Sequence, residues 1–210
     1  MSAHERERLN ALCSRRGLAL IVDEVFLDYT LNGTAQPSFA TNRDVLTFTL
    51  SGISKLSALP QMKLAWVGVS GPQSMTDAAI QRLELIADTY LSMNAPIQLA
   101  APVLLAQHKS IQAQVMDRVR ANLSDLDQQL ANQKSCSRLE VEGGWYAIIR
   151  IPVTRPDEDF AIDLLRSRSV LVHPGHFYDF PNDGYLVVSL ITAAHDFRVA
   201  IRSVLEIANQ

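Results

Sequence analysis

The chain has 210 residues, 48% of them hydrophobic and 20% charged, with a formal net charge of −3. That is a globular composition, able to bury a sizeable core in one large domain or two small ones, and it offers no basic field for nucleic acid. No apolar stretch approaches the roughly 18 residues of a membrane span, the mixed-charge start lacks a signal peptide's hydrophobic core, and Cys13 and Cys136 match no metal or redox spacing, so a reducing, cytoplasmic setting is expected.

The first residues, charged with both signs, suit the exposed face of a helix that runs to about Arg16 and is stopped by Gly17. Residues 17–22 are continuously apolar, which predicts a strand buried on both faces, as in a parallel sheet. Residues 30–43 are loop-like, rich in Gly, Pro, Asn and Thr. A second strand is expected over 45–50 and a third over 63–69, closed by Gly71-Pro72. From 74 to 92, Ile80, Leu83, Ile86, Ala87, Tyr90 and Leu91 recur as one helical stripe, which Asn94-Ala95-Pro96 breaks. One long helix then follows, with Pro102 near its beginning and apolar positions from Leu104 through Val119 to Leu130. A helix of that length either links two domains or lies on a surface as a plain amphipathic helix.

After the polar residues 132–137 the pattern changes. A strand over 145–151 follows Gly143-Gly144, and a short helix over 158–168 leads to the apolar residues 170–172. The turn-rich His173-Pro174-Gly175-His176, a strand over 185–191 and a closing helix over 195–208 complete a small α+β unit. The expected fold class is α/β. Residues 1–134 form part of a larger sheet domain with its linking helix, and residues 135–210 form the small domain.

Two residues carry chemistry. Lys55 closes the run Ser51-Gly52-Ile53-Ser54-Lys55, among small uncharged neighbours at the end of a strand expected to be buried. That setting favours the neutral amine, which attacks an aldehyde to make a Schiff base. Asp23 ends the first apolar run, and ligands of open parallel sheets bind beyond the carboxyl ends of the strands. A Schiff-base lysine and an aspartate that keeps a pyridine nitrogen protonated are the groups pyridoxal phosphate requires. The same two residues also describe a strand-end carboxylate and a solvated lysine, and taken alone they leave both readings open.

The runs Asp23-Glu24-Val25-Phe26-Leu27-Asp28-Tyr29 and Ser51 to Trp66 resemble the class I and II aminotransferases, pyridoxal-phosphate enzymes of the aspartate aminotransferase fold. Gly143-Gly144-Trp145-Tyr146, Pro174-Gly175 and Gly184-Tyr185-Leu186-Val187-Val188-Ser189 resemble that family's small domain. The resemblance implies a fold-type-I large-domain sheet, Lys55 as the Schiff-base lysine and Asp23 as the pyridinium partner. It further implies amino acid and 2-oxo acid substrates and a homodimer. Ser51 and Ser54 are the candidates for the cofactor phosphate, because Gly52 stands three places before the lysine, where many relatives have a serine. Lys63 stands where the family usually has a phosphate-holding arginine; it keeps the charge and loses the bidentate fork. Phe26 takes the place of a tyrosine that donates to the phenolic oxygen, and it cannot donate; Tyr29 is a substitute candidate.

Val187 stands where the family has the arginine that grips the substrate carboxylate, so another cation is needed: Arg150 or a histidine of His173-Pro174-Gly175-His176. The two histidines fit no zinc motif and suit a turn-stabilising role, so no metal is expected. The family's amino-terminal half, with its phosphate cradle and ring-stacking aromatic residue, has no counterpart in the chain, which is therefore expected to be the carboxyl-terminal half of a truncated aminotransferase. Two alternatives stand beside that expectation: a non-catalytic fragment serving as a binding or oligomerising module, and a pyridoxal-phosphate lyase or decarboxylase on the same fold.

Overall fold

In the computed structural model, which describes residues 1–33, 36–90 and 93–209, helix α1 (Ala3–Arg16) begins at a capping box. The Ser2 hydroxyl accepts the Glu5 N–H, and the Glu5 carboxylate reaches back to the Ser2 N–H at 2.7 Å. The helix ends at Gly17, whose φ of 62° is left-handed; its N–H turns back to the last-turn carbonyls, and Leu18 N–H bonds Cys13 O at 2.9 Å. That reversal delivers the chain into β1 (Leu20–Asp23).

β1 runs parallel to β2 (Thr47–Gly52), with Leu20 opposite Thr47 and Asp23 opposite Leu50. A one-turn helix, α2 (Ile53–Leu56), and a 3-10 turn at Pro60–Met62 lead to β3 (Ala65–Ser70), antiparallel to β2 on its other side. Cys13, Leu20, Phe39 and Val45 form a buried cluster with Leu9 and Val22 packed against it. Beside the cluster, Asn10 and Asn42 exchange side-chain amide bonds at 3.0 Å each. Asn10 also donates to Asp44 and Asn42 to Thr47, so this buried network ties α1 to the start of β2.

The expectation that β1 is buried on both faces is not met. Leu20 is buried, but Ile21 is 74% exposed, because β1 is the outer strand of the three and the described residues leave one of its faces uncovered. Helix α3 (Gln73–Thr89) differs in the same way: it buries Thr76 and Ala79, while Ile80, Ile86 and Tyr90 of the expected stripe are exposed. Thr34 and Ala35 of the expected loop, and Leu91 and Ser92 of the expected helix end, lie outside the described residues.

The expected single long helix is two, α4 (Ala95–Ala106) and α5 (His108–Ala131). Asn94 caps α4 by accepting the Ile97 N–H at 3.0 Å. At Gln107 the ladder tightens to a bond from its N–H to Leu104 O, and the His108 ring sits 2.5 Å from Leu105 O. A one-residue break leaves the apolar periodicity intact on both sides, so pattern could not reveal it.

Two compact units, Met1–Gln112 and Ala113–Gln210, divide the chain inside α5, whereas the sequence reading put the boundary at residue 134. Most of α5 belongs with the second unit. It buries Met116, Val119, Asn122 and Leu126, and the Asn122 amide donates to Leu190 O at 2.9 Å and Thr192 O at 2.8 Å.

The second unit holds an antiparallel sheet of β4 (Ser137–Arg138), β5 (Tyr146–Arg150), β6 (His173–Pro174) and β7 (Tyr185–Ser189), in the order β4-β5-β7-β6. Helices α6 (Asp157–Arg168) and α7 (Ala194–Ala208) complete it. Ala147, Ile149, Leu186 and Val188 make the buried sheet face, and Phe160, Leu164, Ile201 and Val204 are among the helices' buried residues. Buried Asp157 opens α6 and accepts the N–H groups of Gly184 at 2.6 Å and Tyr185 at 3.0 Å, anchoring the entry to β7. The fold is α/β, a mixed sheet followed by a small antiparallel one. Among the described residues no helix is long and apolar enough to cross a membrane.

Candidate active site

The parallel register of β1 and β2 brings both carboxyl ends to one level, and the chemistry-bearing residues gather just past them. Asp23 is the last residue of β1. It is exposed, and its Oδ1 accepts the Val25 N–H at 3.0 Å, which starts the turn that follows. Phe26 lies in that turn. Together with Asp23 and Arg6 it lines a groove of ≈ 800 Å³ on the first unit.

Across the strand end, Lys55 sits half-buried in α2, its Nζ 5.6 Å from the centroid of the Phe26 ring. A cation within about 6 Å of an aromatic face is attracted to it. Tyr29 completes the contact from below: its hydroxyl donates to the main-chain oxygen of Lys55 at 2.7 Å, and its ring meets Phe26 edge-on at 6.3 Å. Burial, with the charge of Asp28 adding, pushes the Tyr29 phenol up to about 12, so it stays a donor. The structure therefore brings Phe26, Tyr29 and Lys55 together, while Asp23 shares the groove with Phe26 and Lys55 is not among the groove's lining residues. It also corrects one expectation: Tyr29 is fully buried and committed to Lys55 O, so it is a latch for the lysine segment and not a substitute phenolic donor.

The other candidates belong partly to the first unit and partly to the second. Ser51 is half-buried on β2 opposite Trp66, and Ser54 is half-buried in α2 beside Lys55. Gly52 sits between them in extended backbone, and a Cβ added there would stand 2.8 Å from Leu64 O and 3.1 Å from Ala65 Cα. The departure from serine at this place is thus built into the approach of β2 to β3. Lys63 is exposed, closes the 3-10 turn before β3, and holds a left-handed φ of 54°, a conformation that non-glycine residues adopt only when their surroundings hold them there. Arg150 belongs to the second unit, exposed on β5, with its guanidinium over the Tyr185 ring at 5.6 Å. Val187 is 6% exposed, embedded in β7.

Sequence reasoning passed over Ser57. It is buried two residues past Lys55, and its hydroxyl has no hydrogen-bond partner among the described residues. An orphaned polar group inside the lysine segment is unusual in a folded protein, and nothing in local pattern marks it.

Tested against pyridoxal phosphate, the chain's residues fit two of its attachment points. Lys55 is half-buried against an aromatic ring, suited to the aldehyde carbon, and Asp23 is an exposed carboxylate on the adjoining strand end, suited to the ring nitrogen. For the phosphate, Gly52 supplies no side chain, and Ser51, Ser54 and Lys63 are the groups at hand.

Comparison with known proteins bears on this arrangement. Residues 2–201 match the family model described as aminotransferase class I and II. The chain is 26% identical over 197 residues to an alanine aminotransferase of Mycobacterium tuberculosis, a match covering 90% of this chain and 46% of the relative. It is 23% identical over 187 residues to the glutamate-pyruvate aminotransferase AlaA of Escherichia coli, covering 85% and 46%. Among solved structures, an aminotransferase from Escherichia coli superimposes with a TM-score of 0.85 at 17% identity, covering all of this chain and 54% of that one. An alanine aminotransferase from Pyrococcus furiosus gives 0.84 at 19%, covering 99% and 53%. The chain spans about half the length of the curated relatives it matches.

Proposed function

Because this chain belongs to the class I and II aminotransferase family, we propose that it supplies the lysine-bearing half of a pyridoxal-phosphate-dependent transaminase that moves an amino group between an amino acid and a 2-oxo acid. The observation that carries the reading is the setting of Lys55: one turn past a buried strand end, against Phe26, with Asp23 on the parallel neighbour. When bound, the cofactor supplies an electron sink for the carbon losing its proton.

The protein's own groups have the following roles in this reading. Lys55 Nζ holds the cofactor and later carries the proton between substrate atoms. The Asp23 carboxylate keeps a proton on the ring nitrogen. Phe26 shields one side of the lysine from water, and Tyr29 fixes the Lys55 main chain so that Nζ returns to one place. Ser51, Ser54 and Lys63 offer a hydroxyl pair and a point charge to the phosphate. A cytoplasmic homodimer accords with the family and with the apolar surface at Ile21, Ile86 and Tyr90.

That same exposed surface favours a second reading, a binding or oligomerising module without catalysis. Addition of pyridoxal phosphate to the purified chain separates the two. The enzyme reading expects a visible absorbance band that is absent in Lys55→Ala and bleaches with amino donors. No band in the unmodified chain would leave the module, and a band that decays with release of carbon dioxide would turn the assignment to a decarboxylase.

A further inference from the structure

The buried face of the second unit's sheet, the side away from Val187, borders a crevice that the Lys55 site does not use. Its origin is a strand ladder that stops early. β6 pairs with β7 only at His173–Val187 and Pro174–Leu186. Continued, that register would set Val172 opposite Val188 and Leu171 opposite Ser189. Instead α6 closes at Ser169 with a left-handed φ of 57°, and residues 170–172 reach β6 without joining the ladder. The sheet edge opens there, between that run and α7.

The crevice measures ≈ 410 Å³, inside the range of about 300–1,000 Å³ usual for small-molecule sites, and lies wholly within the second unit. Alternation along β7 turns Val188 to the side opposite Val187. Val172 and Val188 are buried in the floor, and Ile201 and Val204 are buried in the α7 wall. All four side chains are branched and aliphatic, so the interior suits an alkyl group. Along α7 the crevice runs from His195 to Val204, about 13 Å at the ordinary helical rise.

Charge gives the crevice a direction. Arg168 lines the end towards the α7 carboxyl terminus, its guanidinium 3.8 Å from the carboxylate of Glu206, which stands just past Val204 on that helix. The separation is beyond hydrogen-bond distance, so Glu206 shares the charge of the guanidinium without engaging its N–H donors. Those donors form a planar fork that matches a carboxylate. Asp196 stands at the other end with His195, in the first turn of α7. An acid with its head group at Arg168 therefore keeps its charge away from Asp196, and the reverse orientation would set two carboxylates side by side.

We propose that this crevice binds an unbranched aliphatic carboxylic acid of medium chain length. The alkyl chain lies along Val172, Val188, Ile201 and Val204, and the carboxylate sits on the Arg168 guanidinium. Neither Lys55 nor the cofactor takes part, so the binding stands apart from the transaminase reading.

The test is an NMR titration of the full chain, ¹³C-labelled at its valine and isoleucine methyl groups, with octanoate, butyrate and 1-octanol. Saturable movement of the Val172, Val188, Ile201 and Val204 signals is expected with octanoate. Butyrate leaves most of the floor uncovered and octanol lacks the charge, so each should bind about tenfold more weakly. Arg168→Gln, at an exposed position, should weaken octanoate about tenfold and leave octanol unchanged. Ala200→Phe fills the crevice from the α7 wall and should abolish the movement, with an unchanged unfolding midpoint as the check on folding. Equal binding of octanol would overturn the Arg168 contact, and equal binding of butyrate would overturn the aliphatic floor. Movement confined to exposed methyl groups of the first unit, such as those of Ile21 and Ile86, would overturn the site itself. So would the absence of movement with every probe.

Discussion

The hydroxyl of Tyr29 donates to the main-chain oxygen of Lys55 at 2.7 Å, joining the turn after β1 to the helix after β2. A residue of the first strand's turn thereby sets the position of the second strand's lysine. The tyrosine is fully buried, and its bond is the shorter of the two that Lys55 O accepts, the other coming from the Ala58 N–H at 3.3 Å, so its loss strips the carbonyl of its stronger donor.

Tyr29→Phe is expected to lower stability by about 1–2 kcal/mol in urea unfolding. The pH dependence follows from the raised phenol, which goes from 10.0 to about 12 on folding. A raised value means that the stabilisation is fully present below pH 10 and is lost as pH climbs towards about 12, because the unfolded phenol ionises while the folded one keeps its proton. The gap between the original chain and Tyr29→Phe should therefore shrink across that interval. A gap that stays constant through it would contradict the buried donor.

Gly52→Ser restores the residue type many relatives carry, yet the structure expects it to do harm. The new Cβ would meet Leu64 O at 2.8 Å, and backbone cannot swing aside as a side-chain tip can. Overpacking of this kind costs about 1–3 kcal/mol. Thermal unfolding checks it, and an unchanged or raised midpoint would show that β2 and β3 separate without penalty.

The paired amides of Asn10 and Asn42 should behave as a unit. Each single change to alanine strands a buried partner and is expected to cost about 1–3 kcal/mol. The double variant should cost less than the sum of the two singles, since the second change removes a group already left unpaired. Strict additivity in a double-mutant cycle would mean that the two amides act independently.

Asp157→Ala removes the acceptor of two main-chain N–H groups, those of Gly184 and Tyr185. A loss of about 2–4 kcal/mol is expected, with Asp157→Asn less damaging because one acceptor oxygen survives. Amide exchange read residue by residue should speed up first at Gly184 and Tyr185; uniform acceleration along the chain would point to global destabilisation instead.

The exposed apolar residues of α3 should drive association. Ile86→Lys places a charge in the middle of Ile80, Ile86 and Tyr90 and is expected to shift the chain towards monomer in sedimentation at high concentration. Identical sedimentation of the two would mean that this stripe covers nothing.

Much of the fold was legible before any coordinates. Gly17 ended α1 where a left-handed cap was needed, Asn94-Ala95-Pro96 broke the stripe of α3, and the β2 and β7 runs were recognisable from their apolar residues. These signals are local: caps, turns and short-range periodicity depend on residues within a few positions of one another. The break at Gln107 was missed because one tightened turn hardly perturbs a periodic pattern. The latch from Tyr29 was mistaken for a phenolic donor because a buried tyrosine and a ligand-facing one read alike in sequence.

By itself, then, the sequence determined most of the longer helices and strands and which residues could do chemistry, Lys55 and Asp23 above all, since strand ends and side-chain type are written in short runs. Only the tertiary structure decided which apolar residues are covered, that Gly52 stands too close to Leu64 for a side chain, and that His173 lies across from Val187. Those relationships are set by strand register and close packing between segments far apart in the chain, and no local pattern contains them.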